Sequence, residues 1–301
     1  AEDSAVRILL YGENGQLGWE LQRTLMPFGE LICCDFPDVD FSNLAALREH
    51  LSSVKPNLIV NAAAFTDVDG AELKPDLARA VNAQAPDVIA KEAAACGAAL
   101  LHYSTDYVFD GTKGLEYVEA DSPNPINVYG QTKLEGEEAV RSQVEAHLIL
   151  RTSWVYGARR TNFMLKVLDW AAENEILRIV DDQFGSPTWC RALAEISAGI
   201  VAQSMPEGVD WFKRHAGIYH LAGRGTASRF EWAKEIISLY PERGKLAVKN
   251  IEPVSSDAFE TMAERPANTA LNCKKFESTF GLKLPGWRES LKLALSEIDQ
   301  C

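Results

Sequence analysis

The chain has 301 residues, a net charge of −13, and 47% hydrophobic against 24% charged residues, ordinary for a globular protein. That acidity disfavours non-specific binding to nucleic acid or to an anionic membrane, and no apolar run is long enough to span a bilayer. Six cysteines (Cys33, Cys34, Cys96, Cys190, Cys273, Cys301) show no metal-ligand or CxxC spacing, so they read as reduced structural thiols of a cytoplasmic protein. The polar stretch Ala1 to Ala5 lacks the features of a secretory signal.

In chain order, the apolar run Val6 to Tyr11 predicts a buried parallel strand. It enters Gly12-Glu13-Asn14-Gly15-Gln16-Leu17-Gly18, and Leu17, Leu21 and Leu25 then repeat at helical spacing. A strand, glycine-rich turn and helix is the geometry that cradles a pyrophosphate: the glycines allow a tight turn and a close approach, and the helix start offers free N–H groups. Gly12, Gly15, Gln16, Leu17 and Gly18 are therefore expected at a dinucleotide. A second strand, Leu31 to Cys34, ends at Asp35, placed to accept hydrogen bonds from an adenosine ribose. Asp35 would repel a 2′-phosphate, and no Arg or Lys lies between Leu31 and Asn43 to offset it, so NADH is expected to be favoured over NADPH. Asp40 and Phe41 are read as lying beside the adenine, or as capping the helix from Asn43 to Val54.

Leu58 to Asn61 reads as the third strand, followed by the small residues Ala62 to Ala64. A long alanine-rich helix is expected from Asp76 to Ala95, a fourth strand from Ala99 to His102 with Tyr103 to Asp106 at its carboxyl end, and a fifth from Leu148 to Leu150. Alternation at this spacing predicts an α/β fold with a doubly wound parallel sheet and a smaller, interleaved substrate domain. The boundaries read as 1–157 for the dinucleotide-binding part and 158–301 for the substrate part, with 176–222 returning to the first through a strand at Gly217 to Leu221. Further helices are expected at Phe163 to Glu173, Arg191 to Gln203, Arg229 to Ser238 and Arg288 to Ile298, with Pro187, Pro253 and Pro266 in loops over the cleft.

Tyr129 and Lys133 stand four residues apart at the start of a predicted helix, one turn apart on one face. A free phenol has a pKa of about 10, and a neighbouring ammonium lowers it, which makes the pair an acid/base unit. The plain alternative is a half-buried ring and a solvated amine.

These features together resemble the extended short-chain dehydrogenase/reductase family: Gly12-x-x-Gly15-x-x-Gly18, Asn61-Ala62-Ala63, Ser104-Thr105-Asp106-Tyr107-Val108-Phe109 and Tyr129-x-x-x-Lys133. The second half adds Arg151-Thr152-Ser153-Trp154-Val155-Tyr156, Asn162-Phe163, Asp182-Gln183-Phe184-Gly185-Ser186-Pro187-Thr188, and Arg265-Pro266 with Asn268. The resemblance implies NAD(P)H-dependent reduction of the C4 keto group of dTDP-4-dehydro-L-rhamnose to dTDP-L-rhamnose. It implies that Tyr129 donates the proton, that Lys133 holds the nicotinamide ribose and depresses the Tyr129 pKa, and that Thr105 hydrogen-bonds the carbonyl oxygen. Asp106 and Trp154 would contact the sugar, and Ala64, Phe65 and Thr66 would line the cofactor; Phe65 departs from the histidine of the pattern. Arg265 is a candidate for the diphosphate, with a surface ion pair as its alternative. Some members of the family dimerise through a divalent ion held by helix carboxylates. Glu20 would supply one, but Arg191 would repel the cation, so Mg2+ is not expected for catalysis and the chain reads as a monomer or weak homodimer. The competing functions are a non-catalytic nucleotide-binding regulatory subunit and another nucleotide-sugar epimerase, dehydratase or reductase. The trio Thr105, Tyr129 and Lys133 counts against the first, and Tyr107, where dehydratases place a second acid, counts against a dehydratase.

Overall fold

The computed structural model describes residues 6–298, so the readings placed on Ala1 to Ala5 and on Cys301 lie outside the described residues. Six parallel strands form the central sheet: β1 (Arg7–Tyr11), β2 (Glu30–Cys34), β3 (Leu58–Asn61), β4 (Ala99–Thr105), β5 (His147–Thr152) and β6 (Gly217–His220). Their order across the sheet is β6-β5-β4-β3-β1-β2. Helices cover both faces, which is why the strands read as unbroken apolar runs. Within β1 the side chains alternate: Ile8 and Leu10 join the core beneath Leu17, Leu21 and Leu25, whereas Leu9 and Tyr11 pack with Ile59 and Ile89 on the other face.

The helix Gln16–Leu25 packs on Cys190–Ser204 on one face of the sheet. Leu44–Val54, Ala85–Cys96 and Val128–Gln143 pack against one another on the other face. The fourth strand is longer than the sequence predicts and runs through Tyr103, Ser104 and Thr105, because all seven of its residues are buried and the register with β5 continues from Leu100 to Thr105. The helix expected from Asp76 to Ala95 is broken into Pro75–Arg79, a π-turn at Ala80–Gln84, and Ala85–Cys96.

Ile176–Val180, at the start of the stretch 176–222, pairs in parallel with Asn250–Val254 in a separate two-stranded sheet. Pro253, expected in a loop, lies in that strand; a strand with a single neighbour tolerates proline because one edge needs no N–H donor. The chain rejoins the main body with Cys190–Ser204 and β6, which pairs with β5. The short helices Val68–Leu73, Val209–Arg214 and Lys274–Phe280 carry too few turns to show a helical period in the sequence.

Candidate active site

The carboxyl ends of β1, β3, β4 and β5 gather the predicted residues along one edge of the sheet, where open α/β sheets bind ligands. Gly12 sits at φ 86°, and a Cβ there would meet the Ala62 carbonyl carbon and the Ala63 nitrogen, each at 2.6 Å. A Cβ at Gly18 would lie 1.9 Å from the Gly12 carbonyl oxygen. Close packing of loop, helix and third strand therefore requires both glycines. Gly15 caps the first helix without any side-chain hydrogen bond, which leaves the first-turn N–H groups available to a pyrophosphate. Gln16 accepts a hydrogen bond from Asn162 at 3.1 Å, so two motifs far apart in sequence meet here. Leu17 is a core side chain, and only its backbone remains for a cofactor.

Asp35 accepts hydrogen bonds from the backbone N–H groups of Asn14 at 2.9 Å and Phe36 at 2.8 Å. Asp40 accepts from the Ser42 N–H and hydroxyl at 2.8 and 2.6 Å, which holds its carboxyl below the usual carboxylate range. The helix cap is Asn43, which accepts from the Ala46 N–H. Phe41 is buried edge-on against Tyr11, with ring centres 5.2 Å apart.

Ala64 and Phe65 are half-buried and Thr66 is exposed, on the loop after β3. Asn82 fixes this loop. Its side-chain oxygen accepts from the Phe65 N–H at 2.8 Å, and its amide donates to the Phe65 carbonyl at 3.0 Å and to the Thr132 hydroxyl at 3.2 Å. Asn82 was visible in the sequence only as a polar residue in an alanine-rich helix; the π-turn gives it this role.

Asn127 caps the helix Val128–Gln143 by accepting from the Gly130 N–H at 2.8 Å, and its amide donates to the Glu264 carbonyl at 2.9 Å. That cap sets Tyr129 in the first turn, beside the Thr105 hydroxyl, with which its phenol is hydrogen-bonded. Lys133 is 2% exposed and donates to the Tyr103 carbonyl at 2.7 Å. Burial pulls its ammonium down to about 8, partly opposed by the charge of Glu137. The expected depression of the Tyr129 pKa by Lys133 does not occur. Burial raises the phenol above its ordinary value, against the Thr105 hydrogen bond, while the charges of Asp106 and Tyr107 add to the rise.

Asp106 is 2% exposed, and its carboxylate oxygens accept from the hydroxyls of Thr105 at 3.2 Å, Ser153 at 2.8 Å and Thr269. Burial lifts its carboxyl to about 6 although the three hydroxyls favour the charged form. Asp106 thus ties the ends of β4 and β5 to the C-terminal loops. Trp154 follows β5 at φ 46°, stacked on Trp232 with ring centres 5.6 Å apart. Arg265 is committed to Asp69 at 2.8 Å and to the Ala263 carbonyl. Sequence reading missed Arg229: its guanidinium lies 3.6 Å over the Trp154 ring and 4.8 Å over Phe163. It is hydrogen-bonded to the Tyr107 phenol, and burial lowers its pKa. Its position at the first residue of a helix gave no signal; only packing exposes it.

Among the described residues no group of three or more His, Cys, Asp or Glu side chains is placed to hold a metal ion, and the five described cysteines are free thiols. No helix among the described residues is long and apolar enough to cross a membrane.

The family described as the RmlD substrate binding domain matches residues 6–300. The chain is 42% identical over 300 residues to a dTDP-4-dehydrorhamnose reductase of Escherichia coli (strain K12), covering 97% of this chain and 98% of that protein. A dTDP-4-dehydrorhamnose reductase of Clostridium acetobutylicum has a solved structure that superposes with a TM-score of 0.88 at 34% identity, over 98% of this chain and 100% of that one. The Bacillus anthracis dTDP-4-dehydrorhamnose reductase, solved in complex with NADP, superposes with a TM-score of 0.87 at 32% identity, over 97% and 99% of the two chains. With its glycine loop, its Thr105–Tyr129–Lys133 cluster and this likeness along nearly the whole length, the chain belongs to the dTDP-4-dehydrorhamnose reductase family.

Proposed function

We propose that this protein reduces the C4 keto group of dTDP-4-dehydro-L-rhamnose to dTDP-L-rhamnose with NADH or NADPH, in nucleotide-sugar biosynthesis. The observation that carries the reading is the convergence of Thr105, Tyr129 and Lys133 at the carboxyl end of β4. A bound dihydronicotinamide would supply the hydride. Tyr129 gives the proton to the developing alkoxide; a phenol whose pKa burial raises stays protonated at neutral pH, the form a proton donor requires. Thr105 holds the carbonyl oxygen beside that phenol. Lys133, still mostly an ammonium at neutral pH, anchors the nicotinamide ribose. The uncapped helix start at Gly15 and Gln16 holds the pyrophosphate, Asp35 the adenosine ribose, and the loop that Asn82 clamps lies along the nicotinamide.

In this reading residues 1–157 carry the cofactor and 158–301 mainly the sugar nucleotide, with the helix from Cys190 and β6 returned to the cofactor side. Trp154 forms a wall of the sugar site, and Arg229 is better placed than Arg265 for the diphosphate, because Arg265 already pairs with Asp69. The protein acts in the cytoplasm as a monomer or weak homodimer. The test is consumption of NADH and NADPH with dTDP-4-keto-L-rhamnose, run beside UDP- and GDP-linked keto sugars. Turnover confined to the dTDP sugar is expected; cofactor binding without turnover of any keto sugar would leave the regulatory-subunit reading.

A further inference from the structure

Asp35 and Arg160 meet across a single residue. The Asn14 N–H donates to Asp35 Oδ2 at 2.9 Å, while Arg160 Nε donates to the Asn14 carbonyl at 2.7 Å. Asn14 immediately precedes Gly15, the cap of the first helix, so a carboxylate and a guanidinium flank the adenosine end of the glycine loop. Arg160 holds φ 60°, a left-handed conformation that non-glycine residues rarely adopt. Only its Nε is engaged, and its two amino groups have no protein partner among the described residues. Arg159 docks at the same edge with its guanidinium 3.9 Å over the Trp19 ring.

The surroundings are otherwise anionic. Glu13, Asp35 and Asp38 lie close enough for the two aspartates to raise the Glu13 carboxyl, behind the larger effect of burial. Without a cation such a loop would exclude a phosphorylated ribose. No cation stands near Asp35 in the sequence; the fold brings one from the loop after β5.

We propose that Arg160 is the residue that admits a 2′-phosphate to this site. Its free amino groups bind the phosphate of NADPH in a forked, charge-assisted contact, beside the Asp35 carboxylate that accepts the unphosphorylated ribose of NADH. The chain then uses both cofactors, with the choice set by one exposed guanidinium and therefore sensitive to salt. This rests on the nicotinamide-cofactor reading above.

The experiment is calorimetric titration of the intact protein with adenosine 2′,5′-bisphosphate and with 5′-AMP, for wild type and Arg160→Gly. Glycine accepts the left-handed backbone, so the variant is expected to melt no lower than wild type. The expected result is bisphosphate binding weakened about tenfold in Arg160→Gly, about 1.4 kcal/mol, with 5′-AMP binding within twofold of wild type. In wild type the preference for the bisphosphate should shrink as salt rises. Equal weakening of both ligands, or no change in either, would overturn the proposal. If wild type binds neither ligand nor NADH, the cofactor reading itself fails and the role of Arg160 with it.

Discussion

Asn82 holds both backbone groups of Phe65, accepting from its N–H at 2.8 Å and donating to its carbonyl at 3.0 Å. The same amide reaches Thr132, whose hydroxyl donates to the Tyr129 carbonyl at 3.0 Å. One fully buried side chain therefore couples the loop after β3 to the first turn of the Tyr129 helix. Asn82→Ala leaves those groups without partners, and the expected cost is about 1–3 kcal/mol of stability. Cofactor affinity should fall more than the affinity for a dTDP-nucleotide product if, as proposed, the loop lies along the nicotinamide. Chemical denaturation together with titrations of the two ligands checks this; a protein with unchanged NADH affinity would show that the clamp is structural only.

Tyr129→Phe removes one hydroxyl and keeps the half-buried ring. It should bind NADH as wild type does and lower kcat by roughly 10²–10⁴, the contribution of a positioned general acid. Thr105→Val should cost less, since it deletes one hydrogen bond to the carbonyl oxygen. Because burial raises the phenol, no limb of the pH–rate profile near neutrality should belong to Tyr129. A Phe variant that turns over keto sugar within a few-fold of wild type would remove its role as proton donor.

Lys133 titrates at about 8 instead of 10.5 because it is buried. NADH affinity should therefore weaken as pH rises through about 8, where the ammonium is lost. The stability effect has the opposite sense. Below about 8 both folded and unfolded chains hold the proton, and the buried charge costs roughly 3 kcal/mol. Between about 8 and 10.5 the folded chain has released the proton that the unfolded chain retains, so stability gains with rising pH. Lys133→Met should accordingly melt higher than wild type at neutral pH, the gap should close toward 10.5, and cofactor affinity should fall. Melting curves at several pH values decide it; a Met variant that melts lower at neutral pH would contradict the assigned cost.

Arg191 stands between Glu20, at 3.1 and 3.4 Å, and Glu297, and Arg23 donates to the same Glu20 Oε2 at 3.0 Å. Its guanidinium occupies the space between the two carboxylates, where a divalent ion would otherwise compensate them. Sedimentation velocity should be the same with EDTA and with Mg2+, and metal-dependent dimerisation would show that Arg191 swings away. Arg191→Ala leaves the buried Glu20 and the half-buried Glu297 without the guanidinium between them and should lower stability by about 1–3 kcal/mol at neutral pH. The loss should shrink in acid as the carboxylates protonate.

The sequence by itself determined the sheet, the glycine loop and the Tyr129–Lys133 pair. Each is a local signal: strands covered on both faces are continuous apolar runs, a close backbone approach demands glycine, and residues four apart on a helix share a face. The helix expected at Phe163 to Glu173 is present with those bounds, and the structure adds its Asn162 cap. What only the tertiary structure decided is how charges and hydroxyls are paired. Asp106 finds Ser153 and Thr269 on other segments, Arg265 finds Asp69, and Arg191 finds Glu20 and Glu297. Asp35 stood alone in the sequence, yet in the fold it shares Asn14 with Arg160. Tyr129 read as a phenol tuned by its lysine, yet burial governs it and the lysine turns to the Tyr103 carbonyl. Desolvation and ion pairing depend on which surfaces the folded chain brings together, and neither the period of a helix nor the spacing of a motif carries that information.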